Sequence, residues 1–497
     1  MTLPETFGSV LHRRLLWLPA RTNRKIGSPT SMEALSQLTL AQVQANDWEP
    51  WSGVLGGSAW PDDAFTVMSW NSLAQSLVRR DLFPYCSKAQ LRWKYRKDRL
   101  LAEFLFYRPS IACFQEIDKE FWQSEWAPLM ASLNYHWHYY GYRAKKHGCC
   151  IVWNAGKWRC DGYRCVDLDQ SQKVQGLTLP SDNVLQLAVL TRLGPDSRMD
   201  SLSPVNSTHT EETPDHPNRA SSHPQRPYAP LASGTQQGVL VTNCHLYWRP
   251  TGGAVRLAQG LVIQREVDAM HQEYGGGTLP TVLCGDFNSS PAEGLYSAFH
   301  HTGVTAHDSL VQDLVTSFEL DPRLAGMAKP PTAEPASTPD IQPAVVEDPR
   351  LMTSQQQREW VIQLMRAHQS YPPIRSVYQK YEEVDPQHYA LAETAESTGQ
   401  PFFTKYGFHP LVGYQPKQWA GEPRFSNYGV YRGLLDYIFY RQPSRPLKAQ
   451  SESNHHDCLQ PVGVLSIPPE STLLPGIPND AFGSDHISLL AVFVLTK

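Results

Sequence analysis

The sequence lacks several features that would assign it to a common class of protein. No two of its nine cysteines form a Cys-x2-Cys pair, and this absence argues against a zinc ribbon. No apolar run approaches the roughly 18–20 residues that a membrane-spanning helix needs. The 44 Lys and Arg residues and 48 Asp and Glu residues give a net charge of −4, which excludes a histone-like basic protein but allows a local basic groove.

The cysteines and the N-terminus bear on the compartment. Cys113, Cys244 and Cys284 stand inside apolar runs, where free thiols pack as small hydrophobic groups, so we predict an intracellular, reducing environment in the nucleus or cytoplasm. The first 25 residues hold five basic residues and one acid. That composition is typical of a mitochondrial transit segment, although a disordered tail is the commoner explanation, so the mitochondrion stays open.

Short apolar runs that end in polar residues recur along the chain, without any repeat of 20–50 residues. They are FTVMSWN (65–71), SIACFQE (110–116), GVLVTNCHL (238–246), TVLCGDFN (281–288), GLLDYIFY (433–440) and HISLLAVFVL (486–495). Helical periodicity lies between some of them, at 91–107 and 254–271. Interleaved strands and helices predict an α/β fold.

Three polar stretches interrupt this pattern, at about 195–237, 325–350 and 442–460. They are too poor in apolar residues to offset the entropy of ordering, so we predict disordered surface insertions. The strands on either side then belong to a single domain at 61–497. Residues 1–60 are predicted to form an N-terminal extension that is partly disordered.

The polar side chains at the strand ends suggest a metal site. One such Asp is most often a capped turn, but here eight or nine polar residues stand at strand ends or edges. They are Asn71, Glu116, Asn243, His245, Asp286, Asn288, Asp436, Asp485 and His486. Carboxylate, amide and imidazole groups suit Mg²⁺, or alternatively Mn²⁺. A hard cation with a base and hydrogen-bond donors is what phosphate-ester cleavage needs.

The order of these motifs resembles the endonuclease/exonuclease/phosphatase superfamily. The motifs are SWN (69–71), FQE (114–116), TNCHLYW (242–248), GDFNSSP (285–291), LLDYIF (434–439) and GSDH (483–486). Further stretches are similar to the branch of carbon-catabolite-repressor-type deadenylases, nocturnin and Angel, and most of all to Ngl-type RNA exonucleases. These are YRKDRLLAEF (95–104), KKHGC (145–149), RLAQ (256–259), EPRFSNY (422–428) and GIPNDAFGSDH (476–486).

The resemblance implies a two-sheet β sandwich flanked by helices in four α/β/β/α layers, with Mg²⁺ at its rim. Glu116 would be the main metal ligand, with Asn71 beside it on the metal or on a phosphate oxygen. Asp286 would orient or deprotonate the attacking water and could contact a second ion. The number of ions, one or two, stays open.

The remaining roles are also implied by the resemblance. Asn288 and His245 would donate to phosphoryl oxygens. His486 would polarise the phosphate or bind a second metal, Asp436 would fix its tautomer, and Asp485 would complete the ligand field. The chain departs from the family pattern at three positions, where Asp, Thr and Thr are frequent. These positions are His147, Cys244 and Ser426.

Substrate contacts are predicted at five residues, namely Arg143, Lys146, Asn243, Trp248 and Asn427. Trp248 and Phe287 are each either a stacking residue for a base or part of the core. The basic run at 88–99 is either a phosphate-tracking surface or a solvated helix face, and charge runs are more often solvated.

Together these features predict a Mg²⁺-dependent 3′→5′ exoribonuclease that trims poly(A) tails or rRNA 3′ ends and releases 5′-nucleoside monophosphates. The alternative is a phosphatase or phosphodiesterase acting on a small nucleotide, such as a dinucleotide cofactor or 2′,5′-oligoadenylate. A third hypothesis, a non-catalytic RNA-binding protein, would be favoured by loss of Glu116, Asp286 or His486. We expect RNA as the partner and a monomeric protein, without the leucine-rich repeats of a large deadenylase complex.

Overall fold

The computed structural model describes residues 15–17, 63–141, 145–168, 173–174, 177–178, 182–194, 207–208, 238–274, 279–301, 309–320, 353–390, 420–429, 431–443 and 458–495. Within these ranges no helix is both long enough and apolar enough to cross a membrane.

The strands form two large sheets and two small hairpins. They are β1 (Leu15–Trp17), β2 (Ala64–Asn71), β3 (Ile111–Asp118), β4 (Tyr135–Gly141), β5 (His147–Asn154), β6 (Trp158–Asp167), β7 (Lys173–Val174), β8 (Leu177–Thr178), β9 (Val184–Arg192), β10 (Ser207–Thr208), β11 (Gly238–His245), β12 (Thr281–Asp286), β13 (Arg375–Ser376), β14 (Asn427–Tyr428), β15 (Arg432–Gly433), β16 (Asp436–Arg441), β17 (Leu459–Leu465) and β18 (Leu489–Leu495). The first sheet has the order β1-β17-β18-β2-β3-β5-β4-β10, and the second has the order β13-β16-β12-β11-β9-β6.

Helices cover the outer faces of both sheets and, as short turns, adjoin the core between the sheets. They are α1 (Trp93–Tyr107), α2 (Lys119–Phe121), α3 (Ala127–Ser132), α4 (Gly253–Tyr274), α5 (Gly294–Phe299), α6 (Ser309–Leu320), α7 (Ser354–His368), α8 (Tyr381–Val384), α9 (Gln387–Ala390) and α10 (Glu470–Leu473). A π-helical turn at Trp122–Trp126 joins α2 to α3.

The strand sequences are almost continuously apolar because the side chains on both faces of each strand are buried. On β2, Phe65 and Val67 point into the core between the sheets, whereas Met68 and Trp70 pack against the α1 side. Both faces of each sheet are therefore buried, one against the other sheet and one against helices. This arrangement confirms the predicted α/β sandwich with helical outer layers.

The connections bring the polar strand ends to one edge. β2 runs parallel to β3 with α1 between them in sequence, and β11 runs parallel to β12 with α4 between them. Parallel neighbours end at the same edge of a sheet. In register, His245 lies opposite Asp286, and Asp286 lies opposite Asp436 on β16.

The element boundaries differ modestly from those expected. The first helix begins at Trp93 rather than residue 91, and the second extends over Gly253–Tyr274. β10 lies inside the predicted insertion at 195–237 and pairs with β4. Within the N-terminal extension, β1 pairs with β17. The insertion at 325–350 and most of the other two lie outside the described residues, so the predicted domain boundaries stay predictions.

Candidate active site

An irregularity in the pairing of β3 directs the side chain of Glu116 into the site. The pairing of β3 with β5 shifts register between Phe114 and Ile117, and Glu116 itself has φ +55°. A bulge turns a side chain away from the regular alternation of a strand. A left-handed backbone at a residue other than glycine costs energy and persists where the surrounding structure enforces it. The fold therefore holds Glu116 in a strained position at the rim.

Asn71, at the end of β2, holds the two principal carboxylates together. Its Nδ2 donates to Glu116 Oε1 at 3.0 Å and to Asp286 Oδ2 at 2.9 Å, while its Oδ1 accepts from the backbone N–H of Leu73. The backbone N–H of Ala74 donates to the other oxygen of Glu116 at 3.1 Å. In this geometry the amide N–H groups of Asn71 orient the two carboxylates, and its amide oxygen keeps a second lone pair for the predicted contact with a metal.

Asp286 ends β12 at the centre of the site and is buried. Its Oδ1 accepts from the backbone N–H of Asn288 at 2.9 Å. Burial, together with the neighbouring charge of Asp436, raises the pKa of Asp286 to about 7. A carboxylate with this pKa is suited to accept a proton near neutral pH.

His245, at the end of β11, faces both carboxylates. Its Nε2 lies 3.8 Å from Glu116 Oε1 and 3.7 Å from Asp286 Oδ2, too far for good hydrogen bonds. Burial lowers the pKa of His245 to about 4, against the carboxylate of Glu116, which raises it. A neutral imidazole can ligate a metal or donate to a phosphoryl oxygen.

His486 approaches the same oxygen of Asp286 as His245 does. Its Nδ1 is 2.7 Å from Asp436 Oδ2, and its Nε2 is 3.8 Å from Asp286 Oδ2. Burial alone would lower the pKa of His486, but the surrounding carboxylates, Asp436 foremost, raise it well above the usual value. Ser426 Oγ also donates to Asp436 Oδ2 at 2.6 Å, so replacement of the frequent Thr by Ser keeps the hydroxyl that fixes this carboxylate.

The donors fit a divalent cation. The ligand atoms of Glu116, His245 and Asp286 lie within 4.8 Å of one another, as do those of Asp286, Asp436 and His486. Two ligands of one Mg²⁺ are at most about 4.2 Å apart, twice the usual 2.1 Å bond. The His245 and His486 separations of 3.7–3.8 Å from Asp286 are within that limit. Asp286 belongs to both groups, an arrangement that accommodates one ion or two.

A comparison of the sequence with protein families agrees with the geometry of the site. The profile of the Endonuclease/Exonuclease/phosphatase family matches residues 68–486, which include every residue of this site. The chain belongs to this family. Enzymes of the Endonuclease/Exonuclease/phosphatase family are typically dependent on divalent metals, in agreement with the donor set described above.

Individual relatives agree with the family assignment. A probable RNA exonuclease of Schizosaccharomyces pombe is 25% identical over 435 residues, which cover 86% of this chain and 75% of that protein. RNA exonuclease NGL2 of Saccharomyces cerevisiae is 25% identical, covering 86% of this chain and 77% of that protein. Protein angel homolog 2 of Homo sapiens is 25% identical, covering 87% and 69%. The chain is thus a hydrolytic enzyme of the nuclease or phosphodiesterase type.

A solved structure supports the fold. The crystal structure of ANGEL2, described as a 2′,3′-cyclic phosphatase, in complex with adenosine-2′,3′-vanadate superposes with a TM-score of 0.52 at 21% identity. The similarity covers 87% of this chain and 96% of that one. This chain therefore shares its sandwich architecture with that structure over nearly all of the solved domain.

Asp485 and Asn427 lie next to each other, beside the site formed by Glu116, Asp286 and His486. Asn427 Nδ2 is 3.5 Å from Asp485 Oδ2, and Asn427 forms a bridge with His486. Asp485 Oδ1 is buried without a hydrogen-bond partner in the described part of the chain. Asp485 is not a member of either close group of metal-ligand candidates among the described residues. Its side chain is available to a water or ion at the edge of the site.

Asn243 does not reach the substrate side, contrary to its predicted role in substrate binding. The residue is fully buried between the sheets. Its Nδ2 donates to the carbonyl oxygens of Phe114 and Cys150 and to Gln186 Oε1, and its Oδ1 accepts from Gln115. All its donors and acceptors serve the interior, so Asn243 ties the two sheets together behind the site.

The predicted basic residues have different surroundings. Lys146 is exposed, whereas its neighbour Lys145 lines a cleft together with His147, Asn183 and His245. This cleft has a volume of about 270 Å³ including its open mouth. Lys145 Nζ also donates to the backbone carbonyl of Asp182 at 2.9 Å. Lys145 is therefore better placed than Lys146 for a ligand at His245, and Arg143 lies outside the described residues.

The two aromatic candidates separate cleanly. Trp248, three residues beyond His245, is 54% exposed, and the guanidinium carbon of Arg249 lies 5.2 Å from its ring centroid. Phe287 is buried and meets Phe439 edge-on, with ring centroids 5.0 Å apart. The role of Trp248 in substrate binding stays a prediction, and Phe287 belongs to the core.

Proposed function

We propose that the protein is a Mg²⁺-dependent 3′→5′ exoribonuclease that releases 5′-nucleoside monophosphates. The observation that carries the proposal is the group of metal-ligand candidates Glu116, His245 and Asp286, beside which Asp436 holds His486. Relatives at 25% identity that are named RNA exonucleases support RNA as the substrate. Mn²⁺ can replace Mg²⁺ at a site that includes imidazole ligands.

Each residue of the site has its own role in the proposed hydrolysis. When bound by Glu116 with Asp286 and His245, a divalent cation would neutralise the non-bridging phosphate oxygens and favour ionisation of the attacking water. Asp286 would take the proton of that water, because its buried carboxylate is oriented by Asn71 Nδ2 and by the backbone N–H of Asn288. His486, held protonated by Asp436, donates to a phosphoryl oxygen where negative charge develops.

Asn288 lies two residues after Asp286. Its φ is +49°, a left-handed conformation that Asn tolerates better than most residues. Its backbone N–H is bonded to Asp286 and its Nδ2 donates to the carbonyl of Leu246 at 3.1 Å. Asn288 therefore links the ends of β11 and β12, and the second N–H of its side-chain amide is the group proposed to donate to a phosphoryl oxygen.

Truncating Trp248 should weaken binding of RNA without affecting the chemical step. We expect Trp248→Ala to raise KM for oligo(A) on the order of tenfold and to leave kcat within about threefold, because stacking of a base on an aromatic ring contributes roughly 1–3 kcal/mol. Trp248→Phe should recover most of the loss. Steady-state kinetics on 5′-labelled oligo(A) measure both constants.

Leu474→Ala provides the control for that truncation, since Leu474 is another apolar side chain exposed by 54%. Its KM should remain at the wild-type value. A Trp248→Ala enzyme with unchanged KM would remove Trp248 from the substrate path.

A second candidate activity is removal of a terminal or cyclic phosphate from an RNA end or a small nucleotide. It is supported by similarity to protein angel homolog 2 and by the fold of ANGEL2, described as a 2′,3′-cyclic phosphatase. The cleft lined by Lys145, His147 and His245 places a cation and two imidazoles beside the metal-ligand candidates, where a terminal phosphate would meet them. The same metal site would serve both reactions, so the position of the cleaved bond distinguishes them.

The deciding experiment is a product analysis on 5′-labelled oligo(A) that ends in a 3′-hydroxyl, a 3′-phosphate or a 2′,3′-cyclic phosphate. An exoribonuclease shortens the 3′-hydroxyl substrate stepwise and releases AMP only with Mg²⁺ or Mn²⁺. A phosphatase changes the end group without shortening the chain. Internal cleavage of a circular RNA, or equal rates in EDTA, would contradict the proposed function.

A further inference from the structure

Arg96 is a fully buried guanidinium that lies behind the site rather than in it. It belongs to α1, within the basic run at 88–99, yet none of its side chain is exposed. Burial lowers the pKa of Arg96 to about 10, so the group stays charged at neutral pH. An unpaired buried cation is costly unless its surroundings compensate it.

The compensation comes from backbone carbonyls on two different loops. Arg96 Nη2 donates to the carbonyl oxygens of Ser72, at 2.8 Å, and of Leu73. Its Nε donates to the carbonyl oxygen of Gly483 at 2.6 Å. The planar fork of the guanidinium thus spans the loop that follows β2 and the loop that precedes β18.

Each of these loops carries part of the metal site. Asn71, Leu73 and Ala74 arrange the Glu116 carboxylate from the first loop. Asp485 and His486 come from the second loop, two and three residues after Gly483.

A hydroxyl bridges the same two loops next to Arg96. Ser484 Oγ donates to the backbone carbonyl of Asn71 at 2.7 Å and accepts from the backbone N–H of His486 at 3.1 Å. The Ser484 link and the Arg96 fork therefore act on the same pair of backbone segments. The carboxylates of Asp485, Glu116 and Asp118 also raise the pKa of Arg96 and so balance its charge.

We propose that Arg96 is a positioning residue that sets the separation of the two loops carrying Asn71 and His486, and thereby the geometry of the divalent-cation site. This inference rests on the proposed metal-dependent hydrolysis. It assigns no contact with substrate to Arg96, and a lysine cannot replace it, because an ammonium lacks the flat fork that meets both loops.

Arg96→Lys is the decisive variant, because it keeps the charge and removes the fork. We expect kcat to fall on the order of 10- to 100-fold, since displacements near 1 Å have effects of this size. KM for oligo(A) should stay within about threefold. The Mg²⁺ concentration for half-maximal rate should rise on the order of tenfold, as should the Kd for Mn²⁺ measured by calorimetry without substrate.

Arg441→Lys is the matched control. Arg441 is equally buried but lies at the far end of β16, paired with Asp268. Its Lys variant should lose thermal stability comparably and keep the wild-type Mn²⁺ affinity and kcat. Equal changes in both variants, or wild-type Mn²⁺ affinity in Arg96→Lys, would overturn the inference.

If Arg96→Lys fails to fold, Ser484→Ala tests the same link and should weaken Mn²⁺ binding in the same direction. Unchanged Mn²⁺ affinity in that folded variant would then count against the inference. Because Mn²⁺ binding needs no substrate, the result is separate from the proposed function, which fails if the wild-type protein hydrolyses no RNA with any divalent metal.

Discussion

Glu116→Gln should lower the rate of oligo(A) hydrolysis by at least about 10³-fold. The substitution keeps the size of the side chain but removes the charge that would bind the cation, and the loss of one electrostatic element of such a site has effects of this order. Glutamine also presents an N–H to one of two donors, Asn71 Nδ2 or the backbone N–H of Ala74. Single-turnover kinetics at saturating Mg²⁺ measure the change.

Glu422→Gln is the control for this substitution. Glu422 is also buried, and burial raises its pKa to about 7, but its carboxylate bonds to Tyr296 away from the metal site. We expect the Glu422 variant to retain activity within about threefold and Mn²⁺ affinity at the wild-type level. A Glu116→Gln enzyme with more than about a tenth of the wild-type rate would show that Glu116 does not hold the catalytic ion.

The sequence alone was sufficient to locate the strand ends, because two physical rules converge there. Apolar runs buried on both faces identify the strands, and a polar residue at the end of such a run needs a compensating partner. His245 and Asp286 were found in this way and lie opposite each other in register. That these residues lie close to Glu116 and His486 is predictable only from the order of the motifs, because hydrophobic periodicity and composition do not reveal which strands are neighbours.

Asn243 lies deeper between the sheets than its predicted contact with substrate requires. It precedes His245 by two residues and therefore shares the inward face of β11. Each residue advances a strand by roughly 3.3 Å, so Asn243 sits about 6.6 Å deeper, between the sheets. The alternation of the strand already contains this information, and only the last inward residue reaches the rim.

Arg96 illustrates a signal hidden inside a charge run. Residues 88–99 read as a solvated basic face, but Arg96 stands four residues before Leu100 and eight before Phe104, on the same face of α1. All three are buried. A cation at an apolar position of a helix predicts a buried partner, whereas its identity as carbonyls of two distant loops depends on the tertiary fold.

Asp286→Asn should abolish hydrolysis and yet stabilise the metal-free protein at alkaline pH. Because the folded-state pKa of about 7 lies above the ordinary value, the folded protein binds more protons than the unfolded chain between about pH 4 and pH 7. The free energy of unfolding of the wild type therefore decreases as pH rises through this window. Asparagine does not titrate and removes the repulsion with Asp436.

We expect Asp286→Asn in EDTA to exceed the wild type in unfolding free energy by on the order of 1–2 kcal/mol at pH 8, after allowing for one lost hydrogen-bond acceptor. At pH 5 the advantage should vanish, because the wild-type carboxyl is then protonated. Urea unfolding at both pH values measures the difference. Saturating Mg²⁺ should reverse the order, since only the wild type gains the stabilisation of a bound ion; an advantage that is equal at pH 5 and pH 8 would contradict the raised pKa of Asp286.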